Sequence, residues 1–315
     1  MAVAPTTRTL THAEPMRRPG GRGSPLQREG PLAALFMIPG WTILLLFMAY
    51  PFFLGIYLSM TDKMLGFASY DFIRFENYRY LWSDSIFQQT IRNTAIYGIG
   101  TVPFKLGFGL ALALLLNRQF RFSRFFRAGL LLPWIVPTAL SSLAFLMLFS
   151  SVLSPISIVL KNWGVVDHNI NFMGTAWNAR ISLCIANVWR GIPFFAITIL
   201  AGLQAVPSDL VEAAALDGAN RWQRFRAVTW PIIRPITLIA TLFSIIWTIS
   251  DFQLVYVLTK GGPANSTHVF GTFAYQIGLN ATQIGEAAAI SLYMFPALAL
   301  GAILLLRNIR RDDQR

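Results

Sequence analysis

The sequence predicts an all-α integral membrane protein with six transmembrane helices and both termini in the cytoplasm. Three observations predict it. Of the 315 residues, 55% are hydrophobic and only 13% charged, against roughly 25% charged in soluble domains. Six apolar runs reach the about 20 residues that a bilayer crossing needs. The basic residues punctuate those runs and do not gather on one soluble face, which is how membrane topology uses positive charge. The formal charge of +12 therefore argues for membrane orientation and against nucleic-acid binding.

Residues 1–32 are rich in Pro, Gly, Arg and Thr without periodicity, which predicts a disordered cytoplasmic tail. The apolar run that follows is too long for a signal-peptide core and has no small-residue cleavage pattern after it. The membrane domain covers residues 33–308, with spans at Ala33–Met60, Asn93–Leu116, Ala128–Ser150, Ile181–Leu203, Ile236–Thr259 and Ala287–Leu306. Residues 309–315 form a second cytoplasmic tail. The first span is long enough to tilt. Pro39, Pro51, Pro103, Pro133, Pro137, Pro193 and Pro296 lie inside spans, where neighbouring helices can re-satisfy the backbone. With the N-terminus inside, inner segments hold 17 of the 26 lysines and arginines and outer segments hold 7, with Lys105 and Arg190 inside spans. That excess sets the orientation and places the loop 204–235, between helices 4 and 5, in the cytoplasm. Of the outer segments, 61–92 carries FENYRYLW from Phe75 to Trp82, and 151–180 carries Val152–Leu160, long enough for a short surface helix. Their aromatics suit docking by an external protein or a belt at the lipid headgroups. Asn265 and Asn280 open glycosylation sequons, which a prokaryotic origin would make accidental.

The inner loop is the most structured polar stretch, reading EAAALDGANRWQRFRAVTWPIIRP from Glu212 to Pro235. It parses into two short helices. Asp209 is expected to N-cap the first, with Glu212 as its capping-box partner, and Gly218 to close it with a left-handed residue. Asn220 is expected to cap the second with Gln223 in the reciprocal place, and Pro231 to end it. Trp222, Phe225, Val228 and Thr229 share one face and Arg221 and Arg224 fall elsewhere, the pattern of a helix at a membrane surface.

This loop resembles the EAA loop of the membrane subunits of bacterial ABC importers. The family pattern is Glu-Ala-Ala, three residues, Gly, nine residues, then Ile-x-Leu-Pro. Glu212, Ala213, Ala214, Gly218 and Pro231 match in spacing, with Val228 and Trp230 in place of the Ile and the Leu. The resemblance covers most of residues 33–308. SDFQLVYVLTKGGPANST, from Ser250 to Thr267, resembles the end of the fifth helix of sugar-importer permeases, and FENYRYL resembles their first external segment. The group is that of the maltose, glycerol-phosphate and multiple-sugar permeases, and the long N-terminal lead favours the first of their two membrane subunits. The resemblance implies a bacterial inner-membrane permease subunit of an ATP-driven ABC importer that moves a sugar or sugar-like solute. The implied partners are a second homologous permease, two ATPase subunits holding ATP and Mg, an external solute-binding protein and the lipid bilayer. No cofactor is implied in this chain. Glu212, Ala213, Ala214, Asp217, Gly218 and Pro231 would form the coupling element that enters the ATPase. For Glu212, contact with the ATPase and simple capping of its own helix both fit.

Arg190 and Asp251 are ionisable groups in apolar spans, where a charge is expensive and faces a cavity or a partner. Sugars bind to aromatic faces beside hydrogen-bonding groups, so Arg190, Trp247, Asp251 and Tyr256 are the candidate solute pathway. Structural pairing of Asp251, with Arg190 or with a partner subunit, fits the same residues. Lys105 either snorkels or lines a cavity. No catalytic constellation is visible. His12, His168 and His268 fall in the tail or outer loops, and Cys184 is the single cysteine, so neither an intrachain disulfide nor a zinc spacing exists. Without a GxxxxGK[ST] loop, ATP hydrolysis falls to another chain. An ion-gradient-driven secondary transporter is the main rival. It would leave the EAA-like loop unexplained, and the internal repeats common in that class are not visible. A membrane enzyme would lack an acid/base or metal cluster.

Overall fold

The computed structural model describes residues 29–118 and 121–312, and the chain divides into two units at Phe53/Leu54. Most of the tail expected over residues 1–32 lies outside the described residues. Its last residues, 29–32, are helical and belong to α1 (Glu29–Leu44). Pro31 does not prevent this, since the first turn has no use for its missing N–H. A π-turn at Leu45–Ala49 links α1 to α2 (Tyr50–Ser59). This wider turn lies just ahead of Pro51, whose ring displaces the carbonyl one turn back.

The second unit carries the remaining helices. After α3 (Glu76–Ser83), Asp84 caps α4 (Ser85–Gly100) by accepting from the amides of Ile86 and Phe87. With α5 (Val102–Leu116) this forms one 32-residue candidate span, eight residues longer at its start than the apolar run. The third span is not continuous: α6 (Ser123–Ile135) and α7 (Thr138–Leu148) meet at 88°. Val136 precedes Pro137 and is extended, with ψ 128°, as the proline ring forces on the residue before it. The helix expected over Val152–Leu160 forms as α8 (Pro155–Asn162), because Ser154 caps it and Pro155 opens it. Helix α9 (Ala176–Gln204) is a 29-residue span capped by Thr175.

The loop helices α10 (Ser208–Leu216) and α11 (Arg221–Arg224) follow. A π-turn at Phe225–Thr229 leads into α12 (Trp230–Ile249). Two expectations are corrected here. Pro231 does not end the second loop helix; it sits in the first turn of α12, and Arg221–Ile249 runs as one 29-residue candidate span. The fifth span also stops at Ile249 instead of Thr259, and α13 (Gln253–Leu258) restarts after a break at Ser250–Phe252. Helix α14 (Phe270–Tyr275) is followed by a π-turn and by α15 (Ile284–Asp312), which holds the candidate span Ile284–Ile303 and continues as helix into residues 309–312.

Among the described residues, five helices are long and apolar enough to be candidate spans, or six if the bent α6–α7 pair crosses once. Among the described residues, the rest of the pairing is two isolated β-bridges. Without a hydrophobic drive between helices in lipid, packing depends on small residues at the contacts. A Cβ at Gly109 would collide with Phe195, and one at Gly98 would come within 2.7 Å of Ile249. Buried Thr94, Thr101, Thr237 and Thr248 each return their hydroxyl to the carbonyl four residues back, at 2.7–2.8 Å, so these four hydroxyls are not stranded in the apolar interior. The apolar core falls into separate clusters. On α9, Leu183 and Ala186 belong to one, and Phe195 and Ile199 to another.

Candidate functional site

Between those two clusters α9 presents Asn187, Arg190, Gly191 and Phe194 to a cavity of about 540 Å³. Helix α5 contributes Lys105, α12 contributes Ser244, Trp247 and Thr248, and the break after α12 contributes Ser250, Asp251 and Phe252. The elbow between α6 and α7 supplies Trp134 and Thr138. The wall is part aromatic and part polar. Phe194 meets Trp247 edge-on at 4.9 Å and Trp134 at 6.2 Å.

Asp251 is the polar centre. Its side chain is 7% exposed, and Oδ2 accepts from the Tyr97 hydroxyl at 2.9 Å and the Asn187 amide at 3.4 Å. Arg190 stands 3.8 Å from the same oxygen, an ion pair outside hydrogen-bond range. Oδ1 accepts the Leu254 amide at 3.3 Å, so the carboxylate also caps α13. This explains why the fifth span breaks here: the chain leaves the helix to place one carboxylate on three donors and beside one cation. Asn187 donates to the Tyr97 oxygen at 2.9 Å, tying α4 to α9. Lys105 Nζ donates to Thr248 Oγ1 at 2.8 Å, tying α5 to α12.

Of the four residues predicted to form a pathway, Arg190, Trp247 and Asp251 line this cavity. Tyr256 does not. It stacks on Phe252 at 5.0 Å and meets Tyr275 edge-on at 5.0 Å, because the restart of α13 carries it past the cavity. Of the two possibilities for Lys105, the structure has it lining the cavity. Sequence reasoning missed Tyr97, Asn187 and Thr248. Asn187 is three residues before Arg190, one helical face, and that spacing was available as a signal. Nothing local in the sequence connects Tyr97 to a residue 154 positions away.

The second arrangement is the polar loop at the end of α9. Gly218 closes α10 with φ +81°. Its amide donates to Ala215 O at 3.1 Å and that of Ala219 to Ala214 O at 3.0 Å, the paired bonds of a Schellman end. Asp217 is the C-cap residue. Asn220 and Gln223 form the reciprocal box at 2.8 and 2.9 Å. The predicted cap at Asp209 is not made: Pro207 occupies the N-cap position and Asp209 lies in the first turn, accepting from the Ser208 hydroxyl at 3.2 Å. Glu212 therefore does not complete a capping box. It is exposed and lines a second cavity of about 730 Å³ with Arg118, Arg221 and Arg224. Around it the loop leaves apolar side chains uncovered, Leu216 at 90% and Trp222 at 67% exposure.

The family described as "Binding-protein-dependent transport system inner membrane component" matches residues 105–311. The chain is 34% identical over 284 residues to the sulfoquinovosyl glycerol transport system permease protein of Agrobacterium fabrum, covering 90% of this chain and 91% of that one. It is 31% identical over 287 residues to the trehalose/maltose transport system permease protein of Thermococcus litoralis, covering 90% and 96%. In fold it is similar to a chain of a bacterial alginate ABC transporter solved with an alginate pentasaccharide-bound periplasmic protein. The TM-score is 0.78 at 20% identity, covering 91% of this chain and 96% of that one.

Proposed function

The chain belongs to the family of binding-protein-dependent transport system inner membrane components, and from that premise we propose how it works as the permease subunit of an ATP-driven sugar importer. The solute is a sugar or sugar-like molecule delivered by an external binding protein, a reading supported by the sugar solutes in the relatives' names. The protein is an integral component of the bacterial inner membrane. ATP is hydrolysed, with Mg, on two separate ATPase chains, and a second homologous permease completes the pore. The α6–α7 pair counts as the third of six crossings, and the 17-to-7 excess of basic residues supports cytoplasmic termini and a cytoplasmic loop at 204–235.

The single observation that carries the mechanism is the unbroken helical path from loop to cavity. Residues Arg221–Ile249 run as one helical stretch. Its first turn is fixed by the Asn220 box, and its last turns present Ser244, Trp247 and Thr248 to the cavity. Glu212, Ala213, Ala214, Asp217, Gly218 and Pro231 lie on or beside its starting end. ATP binding would draw the ATPases together and move the knob around Gly218. The span carries that motion to the cavity wall, where Trp247 offers an aromatic face and Arg190 and Asp251 offer hydrogen bonds. Tyr256 supports Phe252 from behind. The exposure of Leu216 and Trp222 supports burial of the knob against another protein.

Energy source separates this reading from the secondary-transporter rival. In cells carrying the complete importer, solute uptake should stop on ATP depletion and survive collapse of the ion gradients. The opposite result would overturn the reading. Orientation is checked independently in spheroplasts of the Cys184→Ser background. A membrane-impermeant thiol reagent added outside should label Asn265→Cys and spare Leu216→Cys. The reverse pattern would refute the orientation.

A further inference from the structure

The cavity holds two cations and one anion, and the anion is already occupied. Asp251 takes hydrogen bonds from the Tyr97 hydroxyl, the Asn187 amide and the Leu254 amide, with Arg190 3.8 Å away. Lys105 is 2% exposed, yet its ammonium makes its hydrogen bond among the described residues to one neutral hydroxyl, that of Thr248. An ammonium has three donors. Arg190 Nε is buried and has no hydrogen-bond partner among the described residues. A desolvated charge within a membrane calls for a counter-charge. Asp251 can balance only one of the two cations.

The lysine is also built in. Its stem runs past Gly191 of α9, and a Cβ at that position would come within 2.7 Å of Lys105 Cδ and 2.8 Å of Cε. The slot at Gly191 and the hydroxyl of Thr248 hold the ammonium at the cavity wall. A neutral sugar brings hydroxyls but leaves the excess charge uncompensated. A solute with an anionic oxygen group offers what the site lacks.

We propose that the solute of this permease is acidic, a sugar bearing a carboxylate, sulfonate or phosphate, and that Lys105, with Arg190 beside it, receives that group. The proposal rests on the sugar-importer reading above. The test uses proteoliposomes with the whole importer, both permeases, the ATPases and the binding protein. They are offered labelled neutral mono- and disaccharides matched with their uronate, sulfonate and phosphate counterparts. The acidic member of a pair should be imported about tenfold or more faster than its neutral partner. Lys105→Met should lower that uptake about tenfold or more, as for loss of a charge-assisted hydrogen bond, with the ATPase still co-purifying. Comparable or preferential import of the neutral member overturns the proposal and leaves the sugar reading intact. So does unchanged uptake of the acidic member by Lys105→Met. The wild-type preference decides the matter should the variant fail to assemble. A complex that imports neither kind but takes up another class of solute overturns the sugar reading itself.

Discussion

Asp251→Ala is expected to abolish uptake and to reduce the yield of assembled complex. The substitution removes the acceptor for Tyr97 and Asn187 and the counter-charge of Arg190 in one step. Removing one partner of a buried ion pair costs about 3–5 kcal/mol. The 30% exposure of Arg190 and the 3.8 Å separation place this pair at the lower end of that range. The α13 cap is lost as well, because Leu254 N–H has Asp251 Oδ1 as its acceptor. Asp251→Asn separates structure from transport. An amide oxygen can still accept from Tyr97 and its neighbours, so the complex should assemble. Without the charge, Arg190 loses its counter-charge at the cavity wall, and uptake should fall about tenfold or more. Purification yield and uptake are measured on both variants. Normal uptake with normal assembly in Asp251→Asn would remove the charge of Asp251 from the account.

Gly218→Val is expected to leave the permease in the membrane but to uncouple it. The position is left-handed at φ +81°, and nothing lies within 4 Å of an added Cβ, so the penalty is backbone strain and not collision. That penalty is roughly 1–2 kcal/mol for an L-residue and greater for a β-branched one. The spans do not depend on this turn. The Schellman end does, and through it the angle between α10 and α11. Glu212→Lys should act by another route, since Glu212 is exposed midway along α10 and a lysine there changes the surface the loop offers. It also reverses the one acidic group facing Arg118, Arg221 and Arg224 across the second cavity. Both variants should retain less ATPase on purification and should import poorly for the ATP consumed.

Much of the fold was legible because membrane spans are written as long apolar runs and positive charge marks their ends. The Gly218 turn and the Asn220–Gln223 box were legible because both are local, each within a few residues of sequence. The failures have physical reasons too. The elbow at Val136–Pro137 had its signal in the pre-proline rule, but Pro133 and Pro193 lie within helices, so a proline in a span does not by itself announce a break. Pro231 looked like a terminator, and the π-turn at Phe225–Thr229 carries the helix through it. The break at Ser250–Phe252 has no glycine or proline to mark it; it depends on Tyr97, Asn187 and Arg190, residues distant in sequence. Arg190 and Asp251 could be singled out by the cost of charge in lipid. Their hydroxyl and amide partners could not, because Tyr, Thr and Asn are common enough in spans to pass unremarked.

The central claim is that loop and cavity move as one through the continuous span Arg221–Ile249. It is tested most directly by the accessibility of a cavity cysteine in the assembled importer. Ser250→Cys, in the Cys184→Ser background, is placed in proteoliposomes with a thiol reagent on one side only. With the loop intact, ATP should change the labelling rate at position 250, and the side from which the reagent enters should reverse. With Gly218→Val added, that response to ATP should vanish while the permease remains in the membrane. An ATP-driven reversal of the same size in the Gly218→Val complex would contradict the account.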